Sequence, residues 1–207
     1  METSPGDVFI NCPFDDSFTD GFRALVFAVV ACGFTVRCAR EEDDGSEMRI
    51  EKLYRIIQES RYGIHDLSYV TIDPVTKLPR FNMPFELGLF LAAKRYGPDG
   101  QKNKKCLVHD RDGYRFRQSI SDLAGIDVTA HGDDPRRMVS NVRDFLKTAA
   151  RRLTIPSRPA VLKSYDRFAR ALPKMALASK IKLSHLGFVD FEALVIAWVA
   201  ADQSLAA

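Results

Sequence analysis

Five short apolar runs alternate with helix-like patterns along the first three quarters of the chain, and this alternation restricts the fold strongly. The runs lie at residues 8–11, 34–39, 62–67, 104–109 and 126–130. Polar or Gly- and Pro-containing segments bound them, as is typical of buried strands. Helical spacing is clearest between the first two runs, in Phe22, Leu25, Val26, Val29 and Val30. Strands that alternate with helices predict an α/β fold, a five-stranded parallel sheet covered by helices on both faces.

The same patterns predict helices at residues 18–32, at residues 47–60, from about Pro84, and from Pro135 to about residue 153. Residues 114–124 predict a short helix or turn, and residues 68–82 a long loop. A Pro-containing stretch at residues 154–159 then separates two amphipathic helices at the C-terminal end. We therefore expect an α/β domain at residues 1–153, a linker at 154–159 and a helical extension at 160–207.

The net charge of +3 is too small to indicate a nucleic-acid binder by itself. Residues 1–156 carry equal numbers of basic and acidic side chains, so the excess lies in the extension. The four cysteines form no metal-binding spacing, and no apolar run approaches the roughly 20 residues that span a bilayer. We expect a cytoplasmic protein with no metal site and no membrane segment, and the neutral sheet domain does not indicate a nucleic-acid partner. The basic residues Lys163, Arg167, Arg170 and Lys174 share one helical face of the extension, which is either solvated or a contact for an acidic protein surface or RNA.

Polar residues follow the first and third predicted strands and enter the helix after the third. In parallel α/β sheets ligands bind where the carboxyl ends of the strands meet, so these polar groups are candidate site residues. The three clusters lie at residues 11–17, 66–68 and 82–86. Because their loops share one edge of the sheet, we expect Asp66 and Glu86 to line one cavity with the loop at residues 12–16.

Glu86 is unusual because it lies between Phe85 and Leu87 in an apolar segment. One interpretation is that its carboxylate bonds backbone donors in the first turn of a helix. The other is that burial raises its pKa, which suits a catalytic acid, base or nucleophile. Asp66 has a similar alternative, a cap for the loop that follows its strand.

Other polar residues are weaker candidates. His65 lies within the third strand, where a buried, hydrogen-bonded histidine is expected, whereas His109 and His131 end strands and could reach a ligand. Cys12 would need an unidentified partner to act as a nucleophile. A bound phosphate would have to be held by the turn at residues 15–19, or by Arg37 and Arg40 after the second strand.

Three segments together resemble a known group of proteins. The runs Ile64-His65-Asp66-Leu67-Ser68 and Asn82-Met83-Pro84-Phe85-Glu86-Leu87-Gly88 are similar to the paired motif of bacterial TIR-like nucleotide-binding proteins and nucleoside 2-deoxyribosyltransferases. The opening Val8-Phe9-Ile10-Asn11-Cys12-Pro13-Phe14 is similar to the first strand and loop of those transferases. The resemblance covers about residues 7–150 and implies a flavodoxin-like fold.

It also implies a function. The matched glutamate, Glu86, would attack or stabilise the anomeric carbon of a ribosyl N-glycoside, and Asp66 would hydrogen-bond the sugar or base. The substrate-binding set would comprise Asn11, Cys12, Pro13, Phe14, Asp15, Arg37, Ser68 and Asn82. The Asp-Ser-Gly-Thr stretch of many deoxyribosyltransferases is replaced here by residues 81–84. That difference favours cleavage of NAD or a nucleoside monophosphate over deoxyribosyl transfer.

The leading hypothesis is therefore an N-glycosidase with a nucleotide or NAD as substrate and no separate cofactor, which by resemblance would serve bacterial defence. The alternatives are a nucleotide sensor without catalysis and a protein-interaction module with the same fold. The apolar stripe from Phe191 to Val199 is a candidate surface for a homo-oligomer, and it could equally cover the sheet domain.

Overall fold

The computed structural model of the protein describes residues 4–41, 44–69, 72, 77–78, 80–113, 115–118 and 120–205. Its centre is a five-stranded sheet in which every pairing is parallel, in the order β2-β1-β3-β4-β5. The strands are β1 (Ser4–Asn11), β2 (Thr35–Arg37), β3 (Ser60–Asp66), β4 (Lys105–Asp110) and β5 (Val128–Ala130). This order is the flavodoxin-like one, so the predicted fold class is confirmed.

Six α-helices accompany the sheet within the described residues. They are α1 (Thr19–Ala31), α2 (Arg49–Glu59), α3 (Asn82–Tyr96), α4 (Pro135–Ala150), α5 (Arg158–Ala178) and α6 (Phe188–Ala201). Short 3-10 turns at Arg115–Gln118 and Ser121–Leu123 occupy the segment predicted as a short helix or turn. Part of the predicted loop at residues 68–82, residues 70–71, 73–76 and 79, lies outside the described residues.

Local residue chemistry explains where several helices begin and end. Helix α1 stops before Gly33, whose φ of 78° is readily adopted only by a residue without a Cβ. Helix α4 starts with Pro135, and the Asp134 side chain accepts a hydrogen bond from the Arg136 backbone N–H.

The two faces of the sheet bury alternate residues of each strand. On one face Val8, Ile10 and Ile64 pack with α1 and α4, and on the other Phe9 packs with α2 and with Phe90 of α3. Because side chains along a strand point to opposite faces with a period of two, the parity of a residue determines which helices it meets.

The C-terminal helices pack on α1 and α4 and on each other, outside the sheet. Phe27 of α1 stacks on Phe168 of α5 with ring centroids 5.2 Å apart, and Phe168 also contacts Phe191 and Trp198 of α6. Much of the predicted apolar stripe of α6 therefore packs within the chain itself. No described helix is both long enough and apolar enough to cross a membrane.

Candidate functional site

A cavity of about 220 Å³ lies at the carboxyl ends of β1 and β3, the point at which the chain connections of this sheet change direction. Ligands of doubly wound sheets bind at such a switch point. Below, this cavity is called the Glu86 cleft. Its lining residues are Asn11, Cys12, Pro13, Phe14, Asp15, Arg49, Arg80, Asn82, Met83 and Glu86. Seven of these were predicted from the sequence: Asn11, Cys12, Pro13, Phe14, Asp15, Asn82 and Glu86.

Glu86 is the distinctive group of the cleft. It is the fifth residue of α3 and is 7% exposed, and its carboxyl group has no hydrogen bond or ion pair with any described residue. Burial raises its pKa to about 7, against a weaker opposing effect of the Arg49 guanidinium. The interpretation in which Glu86 bonds backbone donors of the first helical turn is therefore wrong, and the raised-pKa interpretation is the one that the geometry favours.

Close packing of α3 on the sheet sets the position of Glu86. A Cβ on Gly63 of β3 would lie 3.0 Å from the Phe90 ring and 2.6 Å from His65 Nε2, so only glycine lets the helix approach so closely. Asn11 then joins β1 to the start of α3. Its Nδ2 donates to the Met83 carbonyl at 2.8 Å and contacts His65 Nδ1 at 3.1 Å.

His65 is thus a structural residue, as predicted. It is fully buried, with its ring edge-on to Phe9 and Phe90, and burial lowers its pKa to about 3. A neutral ring can accept the Asn11 hydrogen bond through Nδ1.

Asp66 requires a correction, because it does not line the Glu86 cleft. It is fully buried, its Oδ1 accepts the Ser68 backbone N–H at 2.9 Å, and its Oδ2 lies 3.1 Å from His131 Nε2. The physical reason is strand parity: Asp66 shares the face of Ile64, which α1 and α4 cover, whereas α3 and Glu86 lie on the opposite face. The expectation that both acids share one cavity is therefore wrong.

Asp66 belongs instead to a buried group that we call the Asp66 cluster, defined as Asp66, Ser68, His109 and His131. All four are fully buried. Burial alone would raise the pKa of Asp66, but the hydrogen bond and charge of His131, with His109 and Ser68, lower it. The prediction that Ser68 binds substrate is corrected as well. Its Oγ lies 2.7 Å from His131 Nε2 and is not accessible to a ligand.

The Asp66 cluster contains Ser, His and Asp but lacks the geometry of a catalytic triad. The Asp133 backbone N–H donates to His131 Nδ1 at 3.0 Å, so the proton of a neutral His131 ring is on Nε2. Both Ser68 Oγ and Asp66 Oδ2 lie at that same Nε2. A triad needs the serine and the carboxylate on opposite ring nitrogens, with Nε2 free to accept the serine proton. The cluster therefore stabilises the fold and does not activate a nucleophile.

The remaining histidine and the cleft cysteine are also inert in this structure. Neither ring nitrogen of His109 has a hydrogen-bond partner among the described residues, and burial lowers its pKa to about 4. Neither it nor His131 reaches the cleft. Cys12 is 3% exposed, and burial, with the nearby Asp66 and Glu86 carboxylates, raises its thiol pKa well above the ordinary value. Such a thiol is a poor nucleophile.

Arg37 was predicted to bind substrate, and the structure does not bring it to the cleft. Its guanidinium is enclosed by three carboxylates, Asp7 at 3.2 Å, Glu41 at 2.7 Å and Glu59 at 2.9 Å. The hydrogen bond to Glu41 is the main reason that its pKa is raised. Arg37 therefore ties the end of β2 to its neighbours.

Two arginines of the cleft were missed by the sequence reasoning. Arg49 opens α2 and is exposed, and Arg80 precedes α3 and forms an ion pair with Asp15 at 2.5 Å. The one sequence feature that could have indicated them is their position in the chain. The connections from β2 to α2 and from β3 to α3 both start at the ligand-binding edge of the sheet. They give the cleft two cations beside its carboxyl group.

Within the described residues, no group of three or more His, Cys, Asp or Glu side chains is arranged to hold a metal ion. No protein-family model, curated protein or solved structure matches this chain.

Proposed function

We propose that this chain cleaves the N-glycosidic bond between the ribosyl group and the base of a nucleotide, either NAD or a nucleoside monophosphate, with Glu86 as the reacting carboxyl group. The observation that carries the proposal is the state of Glu86, a buried carboxyl that has no hydrogen bond or ion pair with any described residue and lines a cavity at the switch point of the sheet. A structural carboxylate in such surroundings would ordinarily be paired, because burying an unpaired charge is costly.

The reaction requires stabilisation of positive charge on the sugar. As the C1–N bond breaks, its electron pair leaves with the base and C1 gains oxocarbenium character. Nicotinamide leaves NAD as a neutral molecule, whereas the base of a nucleoside monophosphate takes up the proton that the attacking water releases. A fixed carboxylate can stabilise this charge or trap it as a glycosyl ester, and water then supplies the hydroxyl group that ends on C1. A pKa of about 7 keeps a large fraction of Glu86 ionised at neutral pH while leaving it basic enough to accept a proton from that water.

Other cleft residues would position the nucleotide. Asn11 uses its amide N–H groups on Met83 and His65, so its carbonyl oxygen is the polar atom that it can offer to a sugar hydroxyl or a base N–H. Arg49 and Arg80 would attract a phosphate to the mouth of the cleft.

A nucleotide sensor without catalysis is the second candidate, and one observation favours it. Glycoside hydrolases commonly use two carboxyl groups, but Asp66 lies outside the cleft and Asp15 is paired with Arg80. Glu86 would therefore have to perform catalysis without a second free acid.

The test is release of free base. The purified protein is incubated with NAD, deoxynucleosides and nucleoside monophosphates, and the products are separated by chromatography. We expect base release from NAD or a nucleoside monophosphate, with a rate that rises with pH through about 7 as Glu86 ionises. Glu86→Gln and Glu86→Ala should lower the rate at least about a hundredfold, whereas Glu51→Gln, on the exposed side of α2, should retain it.

The outcomes separate the candidates. If calorimetry detects nucleotide binding but no base is released under any condition, the enzyme proposal is wrong and the sensor remains. If neither binding nor release occurs, the protein-interaction module becomes the better explanation.

A further inference from the structure

A second cavity, of about 640 Å³, lies between the first loop of the sheet domain and the C-terminal helices. One wall is formed by the loop and the start of α1, and the other by the segment that leads into α6, through Leu183, Ser184, Leu186, Gly187, Phe188 and Phe191. It shares Pro13, Phe14 and Asp15 with the Glu86 cleft, so these three residues form a common wall. This volume is within the range of about 300–1,000 Å³ that encloses small organic ligands.

Two arginines line this second cavity, and within the described residues the one acidic contact recorded for either is a long ion pair. Arg23 of α1 has a side chain only 18% exposed, and its nearest carboxylate, Asp20, is 3.9 Å away and 85% exposed. Its guanidinium donates to the Leu183 carbonyl at 3.1 Å, and burial lowers its pKa. Arg40 is exposed, lies 4.5 Å above the Phe14 ring and donates to the Phe14 carbonyl, with no ion pair to an acid among the described residues.

The environment of these two arginines differs from that of Arg37. Arg37, three residues before Arg40, is neutralised by three carboxylates. Asp15 and Asp16 also line the second cavity, but Asp15 is paired with Arg80 and Asp16 is exposed to solvent. Arg23, which is partly buried, and Arg40, which is exposed, both keep N–H groups that can pair with an anionic ligand.

Four of the ten other lining residues are aromatic. Phe14, Phe22, Phe188 and Phe191 all contribute to it, with Phe14 and Phe22 edge-on at 5.3 Å. Aromatic walls favour a planar organic group over a bare inorganic ion.

We propose that this second cavity is a binding site for a nucleoside phosphate, with the phosphate paired to Arg23 and Arg40 and the base against the aromatic wall. The C-terminal helices are then part of a ligand site and not only a cover for α1. The proposal uses no property of Glu86 and goes beyond the proposed N-glycosidase activity.

The test is calorimetry of the full chain with adenosine 5′-monophosphate, adenosine and inorganic phosphate. We expect the monophosphate to bind at least tenfold more tightly than either part alone, because only it engages both the arginines and the rings. Arg40→Gln and Arg23→Gln should each weaken its binding at least tenfold, as expected for loss of a hydrogen bond to a charged group. Base release, measured in parallel, should be retained by Arg23→Gln and Arg40→Gln, because neither arginine lines the Glu86 cleft, so that loss of catalysis and loss of this site are separate results.

Arg170→Gln is the matched control, since it removes the same charge from an exposed position of α5 away from the cavity. Arg23→Gln also removes the bond to Leu183, so Arg40→Gln, at an exposed residue whose side-chain hydrogen bond and ring contact in the described structure both involve Phe14, guards against an effect of misfolding. The proposal is overturned if adenosine 5′-monophosphate does not bind at millimolar concentration. It is also overturned if inorganic phosphate binds equally well, or if Arg170→Gln weakens binding as much as Arg40→Gln.

Discussion

Two regions at the same edge of the sheet each hold a buried carboxyl group. Their surroundings shift the pKa values of the two groups in opposite directions. In the Glu86 cleft the carboxyl has no hydrogen-bond partner among the described residues, and burial raises its pKa to about 7. In the Asp66 cluster burial is even more complete, yet the contacts with His131 and Ser68 outweigh it and lower the pKa.

The difference shows that partners, and not burial alone, decide what a buried acid can do. A carboxylate with one oxygen bonded to a backbone N–H and the other 3.1 Å from an imidazole nitrogen is already engaged within the fold, so its role is structural. A carboxyl that faces a cavity and makes no such bonds can still bind a ligand. Perturbed acids of this kind are characteristic of functional sites.

The largest expected effect is on stability in the Asp66 cluster. Asp66→Ala removes the acceptor of the Ser68 N–H and the partner of His131, and leaves those groups buried without compensation. We expect the free energy of unfolding to fall by about 3–5 kcal/mol, the usual cost of breaking a buried pair. Urea denaturation at pH 7 measures it.

Asp122→Ala is the control for this substitution, because Asp122 is exposed and the change should cost less than about 0.5 kcal/mol. If Asp66→Ala were as harmless as Asp122→Ala, Asp66 would not be a structural acid, and the contrast between the two regions would fail.

Substitution of Glu86 should change the free energy of unfolding in the opposite direction. Its folded-state pKa of about 7 is above the ordinary value of 4.5, so the folded protein binds a proton more tightly and loses stability as the pH rises between these values. The glutamine side chain introduced by Glu86→Gln carries no charge at any of these pH values. We expect it to raise the free energy of unfolding by about 3 kcal/mol at pH 8, at about 1.4 kcal/mol for each unit of pKa difference, and to give no such gain near pH 4.5.

Urea denaturation of the wild type and Glu86→Gln across pH 4.5 to 8 measures the gain, with Glu51→Gln as an exposed control whose effect should stay small at every pH. A gain that does not grow with pH would mean that Glu86 is not the desolvated acid described here.

The fold and most of the cleft could be predicted from the sequence, because both follow from simple periodicity. Short apolar runs alternating with helical patterns lead to a parallel sheet, and in such a sheet the residues after β1 and those entering α3 must meet at one edge. Asn11 and Glu86 therefore lie together, as expected.

Asp66 was wrongly expected in the Glu86 cleft because its position at the end of β3 was considered without the face of the sheet on which its side chain lies. Counting by twos from Ile64 would have placed Asp66 on the α1 face, and counting from Phe9 would have placed Asn11 on the α3 face with Glu86. Other features had no comparable signal. An exposed arginine such as Arg49 is ordinarily only solvated, and the apolar stripe on α6 does not identify the surface that it covers.

The smallest expected effect concerns Ser68 and tests whether the two regions are energetically separate. Ser68→Ala removes the hydroxyl at His131 Nε2 and should cost about 1 kcal/mol. Ser68 and Asp66 share that nitrogen, so a double-mutant cycle of Ser68→Ala with Asp66→Ala should give a coupling of at least about 0.5 kcal/mol. Asp66 and Glu86 share no hydrogen-bond partner in the described structure, so the cycle of Asp66→Ala with Glu86→Gln should give less than that. Equal couplings in the two cycles would mean that the cleft and the cluster act as one site, and Asp66 would then regain a role beside Glu86.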